Sequence, residues 1–155
     1  MRPADLIAHA ERLTAVAKRK PYQADMRRAV SAAYYALFHA VAAAAADTLI
    51  GATAGQRSSV TWRRVYRSLD HGFAKAQCLA RGSTPIPTAL RDTADAFVQL
   101  QELRHDADYD PFVSFLLEDV RAHIVQANSA ISHLAEASVA DRQAFAAWLV
   151  FRSKV

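Results

Sequence analysis

The chain is poor in residues that staple, bend or interrupt a backbone: its 155 residues include one cysteine, 4 glycines and 5 prolines. A lone thiol, Cys78, cannot close an internal disulfide, which fits a reducing, cytoplasmic setting. The surrounding "KAQCLA" holds no other metal ligand, so Cys78 reads as a small buried apolar residue and not as a reactive thiol. Long apolar runs are missing too. The run from Ala40 to Ala46 lies between His39 and Asp47 and falls far short of the roughly 20 residues a membrane span needs. No membrane span is predicted. The N-terminal "MRPADLIAHAERL" has acids at a helical period where a secretory signal would place a basic stretch before an apolar core, so no signal peptide is expected.

What the chain does have is alanine and helical periodicity. A hydrophobic content of 52% with so little glycine and proline favours helices, because alanine loses least on entering one. The length suits a single domain over residues 1–155. The fold expected is all-α, a bundle of five to six helices.

The first helix runs from Pro3 towards Lys20, with Leu6, Ala10, Leu13 and Ala17 at helical spacing. Pro21 ends it. A second helix over "QADMRRAVSAAYYALFHAVAAAAADTLI" sets Val30, Tyr34, Leu37, Phe38 and Val41 to one side and closes at Gly51. Ser58 or Ser59 caps a third, running from Val60 to Ala80 with Gly72 weakening its middle. After the loop "RGSTPIP", a fourth helix covers residues 88–109. Asp110 followed by Pro111 is a cap-then-proline signal that starts a fifth helix at Pro111, and "SVADRQAFAAWLVFRSK" forms a sixth.

Charge is unevenly spread. Residues 1–91 hold 14 Lys and Arg against 5 Asp and Glu, whereas residues 92–155 hold 5 against 10. A basic first part points to a polyanion or an acidic partner, unless the two parts pack together and their fields cancel.

Polar chemistry concentrates in "LRHDADYDP", where the fourth helix hands over to the fifth. On helix two, Arg28, Tyr35 and His39 fall at i, i+7 and i+11, one face of a helix. Helix three carries Arg63, Arg64 and Arg67, whose guanidinium forks suit phosphate oxygens. His9, His123 and His133 show no spacing that suggests a metal site.

Taken together, "RRAVSAAYYALFHAV", the basic third helix, "LRHDADYDP" and the closing "RQAFAAWL" resemble the HEPN domain family over roughly Ala4 to Trp148. The resemblance implies a helical domain that forms a homodimer in the cytoplasm and handles RNA or nucleotide. Many such domains are metal-independent endoribonucleases that need no cofactor, in toxin–antitoxin or defence systems, often paired with a minimal nucleotidyltransferase. The family's active pattern places a histidine after an arginine with four to six residues between them. Here the arginine is Arg104, and the histidine's positions are held by Tyr109, Asp110 and Pro111. The chain departs from the active pattern.

Cleaving RNA through its own 2′-hydroxyl needs a proton acceptor, a proton donor and a cation for the developing charge. Arg104 can supply the cation, and His105 or His39 the proton work. His105 lies about 100° round the helix from Arg104, so both face one cleft only if the helix frays there. Arg28, Tyr35, Asp106, Asp108, Tyr109, Arg63, Arg64 and Arg67 are the candidate nucleotide or RNA contacts. Two bland alternatives stand beside these. Arg104 and Asp108 make an ordinary i,i+4 ion pair on a solvated surface, with Asp106 and Asp110 as turn and cap residues. The other is that the same cleft binds nucleotide, RNA or a partner nucleotidyltransferase without catalysis.

Overall fold

Alanine decides the architecture among residues 1–15, 22–80 and 85–152, which the computed structural model describes. Helix α2 (Gln23–Ile50) buries residues on nearly every side, among them Ala29, Ala33, Ala36, Ala42 and Ala46. Side chains that small let neighbouring helices approach from all round, and a helix that is apolar all round belongs in the middle of a fold. Accordingly α2 touches α1 (Pro3–Ala15), α3 (Ser59–Tyr66), α5 (Arg91–Tyr109), α6 (Leu117–Glu136) and α7 (Val139–Val150). Helix α4 (His71–Leu79) packs on α5 and α7. The buried side chains form one cluster, with Tyr34, Phe97, Phe145 and Met26 the largest that are fully enclosed.

The described residues are therefore all-helical, as expected, but with seven α-helices and a single 3-10 turn at Thr88–Leu90 in place of five to six helices. One difference is a break in the expected third helix. Arg67 and Ser68 leave the helical path, and Asp70 starts α4 by accepting the Phe73 N–H at 2.7 Å. An aspartate three residues before an apolar residue is a helix start, and here it outweighs the 3.6-residue period running through it.

The second difference follows Asp110. Pro111 does not open a helix: α6 begins at Leu117, and Asp110 Oδ1 accepts the Phe112 N–H at 2.9 Å in a tight turn. Asp-Pro serves a turn as well as a cap. What keeps this stretch out of the helix is a set of bonds from the first turns of α2. Gln23 accepts the Phe115 N–H at 2.8 Å and donates to the Phe115 carbonyl at 2.9 Å. Arg27 donates to the carbonyls of Asp106, Ala107, Asp110 and Val113.

Gly51 ends α2 as expected, at φ 132°, and a Cβ there would meet Gln56 Cβ at 2.9 Å. The ends of the expected first and sixth helices, at residues 16–20 and 153–154, lie outside the described residues, as do residues 81–84 of the expected loop. Phe151 and Arg152 are not helical. Helix α2 is also the one described helix long and apolar enough to cross a membrane, with a mean hydropathy of 1.5 over its best window. Short apolar runs hid this, since the window spans Tyr and His as well. Its window is 61% buried inside the fold, which a central core helix requires.

Candidate functional site

The sequence places Arg104 one turn before the end of α5, where the i+4 neighbour is Asp108 and the i+5 neighbour Tyr109. The packing of α5 on α2 then decides what surrounds it. Arg104 donates from Nη2 to the Tyr35 hydroxyl at 2.6 Å, and its guanidinium lies 5.2 Å from the Tyr35 ring centre and 5.6 Å from that of Tyr109. Its Nε stands 2.7 Å from Asp108 Oδ2, yet this buried nitrogen makes no hydrogen bond, so the contact is charge pairing without alignment. Asp108 Oδ1 accepts the Ser31 hydroxyl at 2.6 Å.

The Arg104–Asp108 pair thus forms as the bland alternative expects, with Asp108 at the exposed surface. Arg104 is the more enclosed partner, its side chain 18% exposed and bonded to Tyr35 on α2. Arg104 is held more firmly protonated than an ordinary arginine: burial opposes its charge, but Tyr35, Asp108 and Tyr109 together outweigh that.

Beyond Asp108 the surface opens into a groove of about 580 Å³ lined by His9, Arg27, Arg28, Ser31, Asp108 and Tyr109. The structure therefore brings Arg28, Asp108 and Tyr109 together, and through Asp108 and Tyr109 joins them to Arg104. Arg28 is exposed and makes no ion pair among the described residues. His105 stands on the outer side of α5, exposed, with its ring 5.1 Å from Tyr109. No fraying brings it to Arg104. The helix continues regularly to Tyr109, so His105 keeps its angular offset.

His39 lies one turn along α2 from Tyr35, its ring centre 6.2 Å away, and its Nδ1 is bonded to the Tyr66 hydroxyl at 2.6 Å. Arg104 and His39 thus both neighbour the Tyr35 ring. A second histidine, which the sequence reading did not select, joins them: the break between α3 and α4 turns His71 back onto α2. There it lies 4.0 Å from the Phe38 ring, 6.0 Å from the Tyr35 ring, and bonds to the Tyr34 hydroxyl at 2.5 Å. Burial lowers the pKa of His39, helped by the N-terminal ammonium group. His71 is lowered by burial too, then by the Arg104 charge, with Asp70 pulling the other way. Burial also raises the hydroxyls of Tyr34 and Tyr66 above the usual tyrosine range. Both histidines are neutral at pH 7, the form that can accept a proton.

Arg63, Arg64 and Arg67 do not join this group. They lie on and just beyond α3, exposed and without an ion pair among the described residues. Their helix packs against the second half of α2, where Tyr66 meets His39, about 16 Å along the axis from Arg28 at 1.5 Å per residue. Asp106 contributes its carbonyl to Arg27 and, among the described residues, no side-chain bond. Arg27, also missed in the sequence, is structural: the neighbouring Arg28 attracted attention because exposure cannot be read from a doubled arginine. Cys78 is buried, its thiol pushed up to about 12, and stays protonated. No group of three or more His, Cys, Asp and Glu that could hold a metal occurs among the described residues.

No family model, curated protein or solved structure matches this chain.

Proposed function

We propose that this chain is a HEPN-like module that binds the phosphate groups of RNA or nucleotide at the junction of α2 and α5. The observation that carries the reading is the joining of Arg104 to the open groove: Asp108 and Tyr109, which touch Arg104, line the same groove as the unpaired Arg28. Two guanidinium groups beside a tyrosine ring match phosphate and base respectively. Arg63, Arg64 and Arg67 extend the positive face along α3 and fit a longer strand.

The test is fluorescence anisotropy of a labelled oligoribonucleotide across a salt series. Arg104→Ala and Arg28→Ala should each weaken binding about tenfold and flatten the salt dependence, as loss of one phosphate contact does. Unchanged binding in both variants would remove the site from the protein's function.

The neutral histidines support a second reading, metal-independent endoribonuclease chemistry. His39 and Arg104 both neighbour the Tyr35 ring, so Arg104 can hold the phosphate while His39 takes the 2′-hydroxyl proton. Metal-free incubation with RNA, read by 2′,3′-cyclic phosphate ends, separates the two. Cleavage lost in His39→Ala and in Arg104→Ala supports the enzyme, whereas binding without cleavage supports the non-catalytic module. Assembly as a homodimer, and engagement of a minimal nucleotidyltransferase, belong to the same proposal and follow from the family resemblance. Sedimentation across a concentration series tests the first.

A further inference from the structure

Arg104 is placed to grip an anion, but it is already occupied, and badly. A carboxylate sits 2.7 Å from its Nε while that buried N–H goes without a hydrogen bond. Arginine and carboxylate ordinarily meet as two parallel, aligned bonds, which this pair does not achieve because both residues are fixed on one helix and Nη2 is committed to Tyr35. The carboxylate is not sealed in. Asp108 lines the open groove and, Arg104 apart, is bonded among the described residues by the Ser31 hydroxyl, in a groove that also holds Arg28, which makes no ion pair among those residues.

We infer that Asp108 is a built-in competitor that occupies the phosphate position of Arg104, and that an incoming phosphate group displaces it, its oxygens reaching Arg104 and Arg28 while the Ser31 hydroxyl is freed to donate to them. The inference rests on the phosphate-binding reading above and adds to it a gate. A phosphate carries more charge and more acceptor oxygens than a carboxylate, so the groove selects phosphate over carboxylate ligands. Removing the Asp108 charge therefore strengthens binding, although Asp108 lines the site.

The experiment compares wild type, Asp108→Asn, Asp108→Ala, Asp106→Asn and Arg104→Ala, each checked for helix content by circular dichroism. Two probes separate the sources of phosphate: a labelled oligoribonucleotide and a labelled mononucleotide. Both Asp108 variants should bind about tenfold more tightly at low salt, the scale of one removed like charge at contact distance. Asp106→Asn changes the net charge equally without freeing Arg104, and, since Asp106 does not line the groove, should gain less than about twofold. Tightening of the oligoribonucleotide alone assigns the site to a chain phosphate, and tightening of both assigns it to a terminal one. Equal gains in Asp108→Asn and Asp106→Asn would mean a general charge effect and overturn the gate. Unchanged or weaker binding in folded Asp108 variants, with Arg104→Ala still weak, would overturn it while leaving the phosphate site intact. Binding unaffected by Arg104→Ala would sink the phosphate reading itself.

Discussion

The two halves of α2 do different work with different side chains. From Gln23 to Tyr35 the helix sends polar groups outward: Gln23 and Arg27 hold the backbone at and beyond the end of α5, Ser31 holds Asp108, and Tyr35 holds Arg104. From Ala40 to Ala46 it offers only Val41 and alanines, and its neighbours press against it. Polarity returns at Asp47, whose carboxylate accepts from Trp62 Nε1 at 2.7 Å and Arg57 Nη1 at 2.8 Å. One half positions a site by directed bonds, and the other holds the bundle by close approach. Directed bonds fail one partner at a time, whereas close packing fails by volume.

The sharpest way to break the first half is Arg27→Ala. It removes the Arg27 bonds to the carbonyls of Ala107, Asp110 and Val113, that of Asp106 keeping the Asp110 N–H, and at roughly 1.5–3 kcal/mol for a bond to a charged donor, non-additively, the loss should reach about 3 kcal/mol. Urea unfolding measures it. Arg27→Lys should recover less than half, since an ammonium group cannot reproduce the fork. A loss below about 1 kcal/mol would show that the segment from Asp110 to Leu116 holds itself. The matching change in the second half is Ala42→Leu, which forces extra volume into a site with no exposure and should cost about 2 kcal/mol by overpacking. A smaller loss would mean that the neighbours of α2 can withdraw. Asp47→Ala tests the polar end of α2 beyond the alanines. It should cost about 1 kcal/mol and shift Trp62 emission to the red, read in a Trp148→Phe background so that Trp62 alone reports.

The same division explains what could be read in advance. Periodicity found α2 to the residue, because an apolar helix announces itself however its neighbours are arranged. It ran through the α3–α4 break, because the apolar spacing of Val65, Leu69 and Phe73 continues across it while only Asp70 marks the new start. Asp110 and Pro111 were seen but assigned to a cap, and the bonds that make them a turn come from Gln23 and Arg27, 92 and 83 residues away along the chain in the Phe115 and Asp110 contacts. Within the site, Arg104, Asp108, Tyr109, Arg28, Tyr35 and His39 were legible as a stripe and a cluster. His71 was not. Its role depends on the α4 start, and a residue that reaches a site through a helix break leaves no spacing signal on the helix it meets.

His71 also supplies the smallest test, a dependence on pH. Its pKa in the fold lies below the ordinary 6.5, first because burial disfavours the charged ring and then because Arg104 repels it. The unfolded chain therefore binds more protons than the folded one as pH drops below about 6.5, and stability falls with it. Above that value both states hold a neutral ring and the term vanishes. His39 acts in the same direction. The groups facing His71 are Asp70 on its own helix boundary, Tyr34, Tyr35 and His39 on α2, and Arg104 on α5, and of these Asp70 alone favours the charged ring. The urea midpoint should thus hold steady from pH 8 to pH 7 and decline below about 6.5, and His71→Gln should flatten part of the decline while His71→Gln with His39→Gln flattens more. A midpoint that rises as the pH falls through that window would mean that Asp70 outweighs Arg104 and burial, and that the histidine nearest Tyr34 is held charged.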